Sequence, residues 1–252
     1  MKNARKIIAP RLQGTLGLKL DEKRLYSLER FYPGNANLLA LSAAKKFATG
    51  KFQRVVVITG RAKCGKSHLL KGIFHTWPSG SDGQNAFFFN PKNRTNTPEQ
   101  LLNQAVEIGG GPVLFCIDNL DQQHENEKEW YDAVFTLFNK LADSGGFLAV
   151  ALRHSPANSP EMPDYLSSRL LTGMVVSLQK PDAEETRLIL VKMADDRAVS
   201  LTPRAQKFIL ERSGRSIGDL STLMDRLESE IDPGGGRVGL QLLRRVIDWG
   251  ES

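Results

Sequence analysis

Gly60-Arg61-Ala62-Lys63-Cys64-Gly65-Lys66-Ser67 fits the pattern G-x-x-x-x-G-K-[ST], and its flanks decide the fold. Ahead of it, Val55-Val56-Val57-Ile58-Thr59 is an almost wholly apolar run of strand length, as expected of a parallel strand buried on both faces. Behind it, Leu69, Leu70, Ile73, Phe74 and Trp77 recur at helical spacing until Pro78 stops the helix. Strand, glycine loop and helix in that order predict a phosphate site. Gly60 and Gly65 let the backbone curl so that the amides from Gly60 through Ala62, Lys63, Cys64 and Gly65 to Ser67 and His68 converge on phosphate oxygens. The helix N-terminus adds partial positive charge. Lys66 is expected to reach the β- and γ-phosphates of ATP, or the β-phosphate of ADP, and the Ser67 hydroxyl to ligate Mg²⁺.

Working outward, the chain of 252 residues is long enough for one α/β domain and a smaller second one. Ala86–Phe89, Val113–Asp118, Phe147–Leu152 and Met174–Leu178 supply four more apolar runs, alternating with helical patterns. The fold class expected is therefore α/β: a parallel five-stranded sheet with helices on both faces and the nucleotide at its carboxyl edge. Thr97-Pro98-Glu99-Gln100 reads as a helix start, with Leu101, Leu102, Ala105 and Val106 on the buried side. The helix over about Lys128–Ala142 packs Trp130, Val134, Leu137, Phe138 and Leu141. Past Pro181 the pattern is helices alone, beginning with an Asp182–Glu185 capping box and including about Ile217–Glu230. The expected domains are a tail at 1–24, the nucleotide-binding unit at 25–179 and an all-α lid at 180–252.

Asp118 ends the third strand, where a P-loop chain needs an acid for Mg²⁺. Asn119 follows it in place of a water-activating carboxylate, with Asp121 as a substitute and 121–129 read as solvated surface. Phe31-Tyr32-Pro33-Gly34-Asn35 is an aromatic turn, read either as a wall for the adenine ring, with Tyr32 and Pro33 against it, or as a plug at the core edge.

Charge is unevenly placed. The net +6 divides into +5 over residues 1–30, with eight Lys/Arg against three Asp/Glu, and +1 over the rest. Residues 1–30 are read as a basic arm outside the core, the one part expected to meet nucleic acid, while the near-neutral body is not. Within it, Gln13, Leu16 and Leu18 suit a groove on another protein; an arm with incidental leucines fits them equally. Two cysteines exclude a disulfide framework, and there is no apolar run of membrane-spanning length or signal-peptide character. A cytoplasmic setting is expected.

Taken together, Phe31–Asn35, Gly60–Ser67 with His68-Leu69-Leu70, Ile117-Asp118-Asn119-Leu120 and Ser168-Arg169-Leu170 with Gly173 resemble the AAA+ ATPases, in the branch of the bacterial replication initiator DnaA. The resemblance covers about residues 25–252 and is strongest to the Hda-type regulators of DnaA. It implies that Arg169 is an arginine finger, reaching the γ-phosphate on a neighbouring subunit. It implies that Gln13, Leu16 and Leu18 bind the DNA polymerase sliding clamp, although Gly14 stands where leucine is usual. DnaA would be the partner, self-association through the same type of interface is open, and no DNA-reading helix-turn-helix domain is expected after the lid. Three positions depart from the family pattern: Asn119, Ala151 where a polar γ-phosphate sensor is usual, and Gly218 where the lid arginine is usual, with Arg215 as the near substitute. Nucleotide binding is thus expected more firmly than hydrolysis. A helicase loader or transposase-helper ATPase, and a nucleotide-stabilised scaffold, are the competing functions.

Overall fold

The computed structural model describes residues 23, 26–78, 86–106, 112–122, 127–212, 216–231 and 236–248. Five parallel strands, β1 (Val55–Thr59), β2 (Ala86–Phe89), β3 (Leu114–Ile117), β4 (Phe147–Leu152) and β5 (Met174–Ser177), form one sheet in the order β2-β3-β4-β1-β5. β3 and β4 are buried at every residue and β1 at all but its first, so their apolar runs do not alternate. β5 stands at an edge and alternates between half-buried and exposed residues.

Helices cover both faces. On one, α1 (Leu38–Phe47) and α2 (Lys66–Thr76) pack against Val56, Ile58, Cys116 and Ala149. On the other, α3 (Pro98–Val106), α4 (Glu127–Ser144) and α5 (Asp164–Leu170) enclose Val57, Phe115, Leu148 and Val150. The predicted start of α3 is present: Thr97 Oγ1 accepts the Gln100 N–H at 3.2 Å, and Gln100 Oε1 accepts the Thr97 N–H at 3.1 Å. Val106, expected on the buried side of α3, is instead 70% exposed at the helix's last position.

The lid is helical, as expected: α6 (Ala183–Asp195), α7 (Pro203–Arg212), α8 (Ile217–Glu230) and α9 (Leu240–Asp248) share a third core. The Asp182–Glu185 capping box that opens α6 is formed. One addition corrects the expectation of helices alone. A two-stranded parallel ribbon joins β6 (Val199–Leu201) to β7 (Gly236–Val238), and Val238 belongs to this ribbon rather than to the last helix. Each strand is three residues long, too short to leave a periodic signature.

The segment before α1 is also corrected. Residues 26–30 do not lie outside the core: Leu28 is 1% exposed and packs on Gly72 of α2, and Arg30 is paired with Asp225 of α8. No helix among the described residues is long and apolar enough to cross a membrane. Cys64 and Cys116 are both buried free thiols.

Candidate functional site

Parallel pairing aligns the strand ends so that Gly60 after β1, Asp118 after β3 and Arg153 after β4 gather at one edge of the sheet. The loop there has the backbone that its glycines permit. Gly60 has φ +147°, and a Cβ on it would lie 2.4 Å from the Leu178 carbonyl oxygen; Gly65 has φ +104° and sits against the Phe31 ring. Lys63 also takes a left-handed φ of 61°, which turns the chain between the two glycines. Lys66 is buried, and its ammonium donates to the carbonyls of Gly60 at 2.6 Å and Arg61 at 2.9 Å, so it is held over its own loop. Ala62 and Lys63 are exposed on the rim, while Cys64 turns inward and burial raises its thiol pKa.

Asp118 is 3% exposed. The Ser67 hydroxyl and the Asn119 N–H lie near enough to favour its charged form, yet Oδ1 has no hydrogen-bond partner. A buried carboxylate oxygen left over beside a serine hydroxyl, at the mouth of a phosphate loop, is the donor set that Mg²⁺ takes together with phosphate oxygens. Burial pushes the Asp118 pKa up, and Ser67, the Asn119 amide and Lys66 pull it back down.

Asn119 has a left-handed φ of 57°, and its side chain is engaged with Asn90 and Gln122. Asp121 does not lie on solvated surface: its side chain is 1% exposed, and its carboxylate accepts the N–H groups of Arg153 at 2.7 Å and His154 at 2.9 Å. It ties the β3 and β4 ends together and is committed to that work. Ala151 is fully buried within β4, opposite Ile58. Gly218 opens α8, where the neighbouring Asp219 reaches Lys63 of the loop at 3.6 Å, so this turn of the lid faces the site. Arg215, Gln13, Leu16 and Leu18 lie outside the described residues.

The aromatic turn lies between the site and the lid. Phe31 packs on Gly65 and meets His68 edge-on at 5.6 Å. The Tyr32 ring is in the lid core, with its hydroxyl donating to Asp196 at 3.0 Å; burial and that carboxylate raise its pKa. Pro33 is half-buried. His68 contacts the Ser27 carbonyl through Nε2 at 3.2 Å and lies between Tyr26 and Phe31, where burial lowers its pKa. Sequence reasoning missed Asn37, whose amide bonds both the N–H and the carbonyl of Gln179 at 2.9 Å, and Glu185, which accepts the Asn35 N–H at 2.8 Å. Neither left a local signal, since each partner is more than 140 residues away.

Arg169 stands elsewhere. It is exposed near the end of α5, with its guanidinium 6.0 Å from the Phe138 ring and no carboxylate partner among the described residues, neither Asp164 nor Glu161. Just beyond, Gly173 packs on Val55 at the start of β1, which puts the end of α5 at the amino edge of the sheet. The loop of Lys66 follows the other end of β1, a strand of five residues or roughly 16 Å away.

The description "Bacterial DnaA ATPase domain" matches residues 21–177. An uncharacterized protein of Haemophilus influenzae is 30% identical over 228 residues, covering 88% of this chain and 93% of that one. The chromosomal replication initiator DnaA of a Synechococcus strain is 24% identical over 249 residues; 93% of this chain matches 53% of it, so the chain spans about half the length of that relative. In fold, AMPPCP-bound DnaA from Aquifex aeolicus aligns with a TM-score of 0.65 at 18% identity, over 90% of this chain and 69% of that one.

Proposed function

Because the chain belongs to the family of bacterial DnaA ATPase domains, we propose that it is a nucleotide-bound regulator of bacterial replication initiation that offers Arg169 to ATP held by DnaA. The observation that carries this reading is the place of Arg169: unpaired by any described carboxylate, and a strand's length from the chain's own phosphate loop. A guanidinium so placed is of no use to its own nucleotide and suits one on an abutting subunit. There it stabilises the charge that develops on the transferring phosphoryl group.

The chain's own nucleotide, ATP or ADP, is held by the amides of Gly60–Ser67 and by Lys66, which exchanges its two carbonyl acceptors for phosphate oxygens. Ser67 and Asp118 would hold Mg²⁺, which supplies neutralisation of phosphate charge when bound. Turnover by this chain is slow in this reading. Asn119 cannot accept a proton from water as a carboxylate does, its side chain is tied to two other amides, and Asp121 is spent on backbone. The tether to the sliding clamp through Gln13, Leu16 and Leu18 rests on the sequence resemblance.

The test is the rate of ATP hydrolysis by DnaA with and without this protein and DNA-loaded clamp. Stimulation is expected, abolished by Arg169→Ala and made independent of clamp by Gln13→Ala with Leu16→Ala. Unchanged DnaA turnover on adding the wild-type protein would remove the proposal.

A further inference from the structure

The outer edge of β5 carries a groove that the nucleotide reading does not use. It holds about 440 Å³ between β5 and α1, and its walls are Leu39, Ala40, Ala43 and Phe52 facing Val175 and Val176. Leu39 is 84% exposed and Phe52 43%, with Leu38 beside them at 54%, an apolar concentration that a surface helix rarely shows to water. The groove exists because α1 presents alanines and a serine where larger side chains would close on the sheet.

The strand beside it is open for pairing. The Leu178 N–H donates to the Thr59 carbonyl at 2.7 Å and the Val176 carbonyl accepts from Thr59 Oγ1, so even-numbered residues here turn their backbone groups to β1. In a parallel ladder the odd-numbered ones then turn outward. At Gln179 that outward pair is already taken by the side-chain amide of Asn37, which imitates one residue of a neighbouring strand. The next two positions in register, Val175 and Ser177, have no such partner among the described residues. They line the groove.

Charge selects the occupant. Between Phe31 and Ser81 there is no Asp or Glu, while Lys45, Lys46, Lys51 and Arg54 lie on α1 and the turn leading to β1, with Lys46 in the wall itself. Residues 171–181 add Lys180 and no acid. At the Asn35 end the Glu185 carboxylate is occupied by the N–H groups of Asn35 and Asp182. The chain's own basic N-terminal residues would be repelled, and a second copy pairing edge to edge would bring two basic rims together. We propose that this groove receives an extended acidic peptide of a partner protein, added to β5 as a sixth strand with apolar side chains pointing between α1 and the sheet. Backbone pairing at Val175 and Ser177 gives the register, and the lysine rim gives the preference for acidic sequence.

The probe is a dye-labelled octapeptide alternating valine and glutamate, followed by fluorescence anisotropy against the full chain at low and moderate salt. Saturable binding that weakens as salt rises is expected. Val175→Pro removes an outward N–H without touching the bonds to β1, and should weaken binding at least about tenfold. Leu39→Glu, at a position too exposed to affect folding, should do the same, and Lys46→Glu, which reverses the charge in the groove wall, should weaken the salt dependence. Absence of saturable binding would overturn the proposal. So would equal binding of a valine–lysine octapeptide, or unchanged affinity of the Leu39→Glu and Val175→Pro proteins.

Discussion

Asp118 shows how a binding residue weighs on the fold that carries it. Its carboxylate is nearly sealed from water, with one oxygen lacking any partner, and burial raises its pKa. For an acid this shift means that the charged form is disfavoured in the folded state. The stability it contributes is present below the ordinary carboxylate range and is lost as the pH rises through that range to the raised folded value. At neutral pH the protein without ligand therefore bears the cost. Asp118→Asn should raise the melting temperature of nucleotide-free protein by roughly 2–4 °C, for the order of 1 kcal/mol that an unmade buried bond costs in a chain of this size. The same variant should lose most of the further rise that Mg²⁺ with ATP gives the wild type. Thermal melts over a Mg²⁺–ATP matrix read both numbers, and a variant less stable than wild type without ligand, yet equally stabilised with it, would contradict this account. The position of Asp118 was legible in the sequence because a strand end is a local event; its orphaned oxygen was not, since that depends on what α2 places beside it.

At the scale of the element, the least expected component is the segment from Tyr26 to Asn37. It runs along α2, with Lys71 over the Tyr26 ring at 4.1 Å, the Ser27 carbonyl on His68 and Leu28 on Gly72, and then crosses to the lid. There Arg30 meets Asp225 at 3.0 Å, and the fully buried Arg197 bonds the same carboxylate at 2.7 Å and the Met193 carbonyl at 3.1 Å. Burial works against the charge of Arg197, and Asp225 with Tyr32 together more than offset it, so its pKa is raised. Asp225→Ala would remove the close carboxylate from that buried guanidinium, leaving Glu228 at 3.6 Å and neutral partners such as the Met193 carbonyl, and should cost roughly 3 kcal/mol. Arg30→Ala, at a wetter position, should cost about 1 kcal/mol or less. Urea unfolding separates the two, and equal costs would mean that Arg197 does not depend on Asp225. None of this was readable in advance. β1, β4 and α8 announced themselves through runs, spacing and caps within their own length. The strap has no periodicity, and its partners lie 195 residues along the chain for Arg30 and 164 for Tyr32, so only the fold reveals it.

Over the whole molecule, the parallel sheet holds apart the two places that the proposed function uses. The phosphate loop follows the carboxyl end of β1, while Arg169 stands by the amino end, beside Phe138. β1, which separates them, is buried at all but its first residue and packed beside the fully buried β4, so a rearrangement at one end is damped before it reaches the other. Independence at the two ends follows for variants that keep the fold. Arg169→Ala should leave the protein's own affinity for ATP and ADP within about twofold of wild type, since distant sites without shared partners add within about 0.5 kcal/mol. The rate at which DnaA hydrolyses ATP in its presence should fall by roughly 10³ or more, the range in which such arginines act. Lys66→Ala should do the reverse to affinity, removing a charge-assisted contact to phosphate and weakening binding by at least about tenfold. Its exposed guanidinium stays intact, so any loss of stimulation by Lys66→Ala measures how far the bound nucleotide shapes the face offered to DnaA. Nucleotide affinity by fluorescent analogue and DnaA turnover, measured on the same two variants, make four values. Were Arg169→Ala to abolish the protein's own nucleotide binding, the two functions would be one site, and the separation along β1 would have no functional meaning.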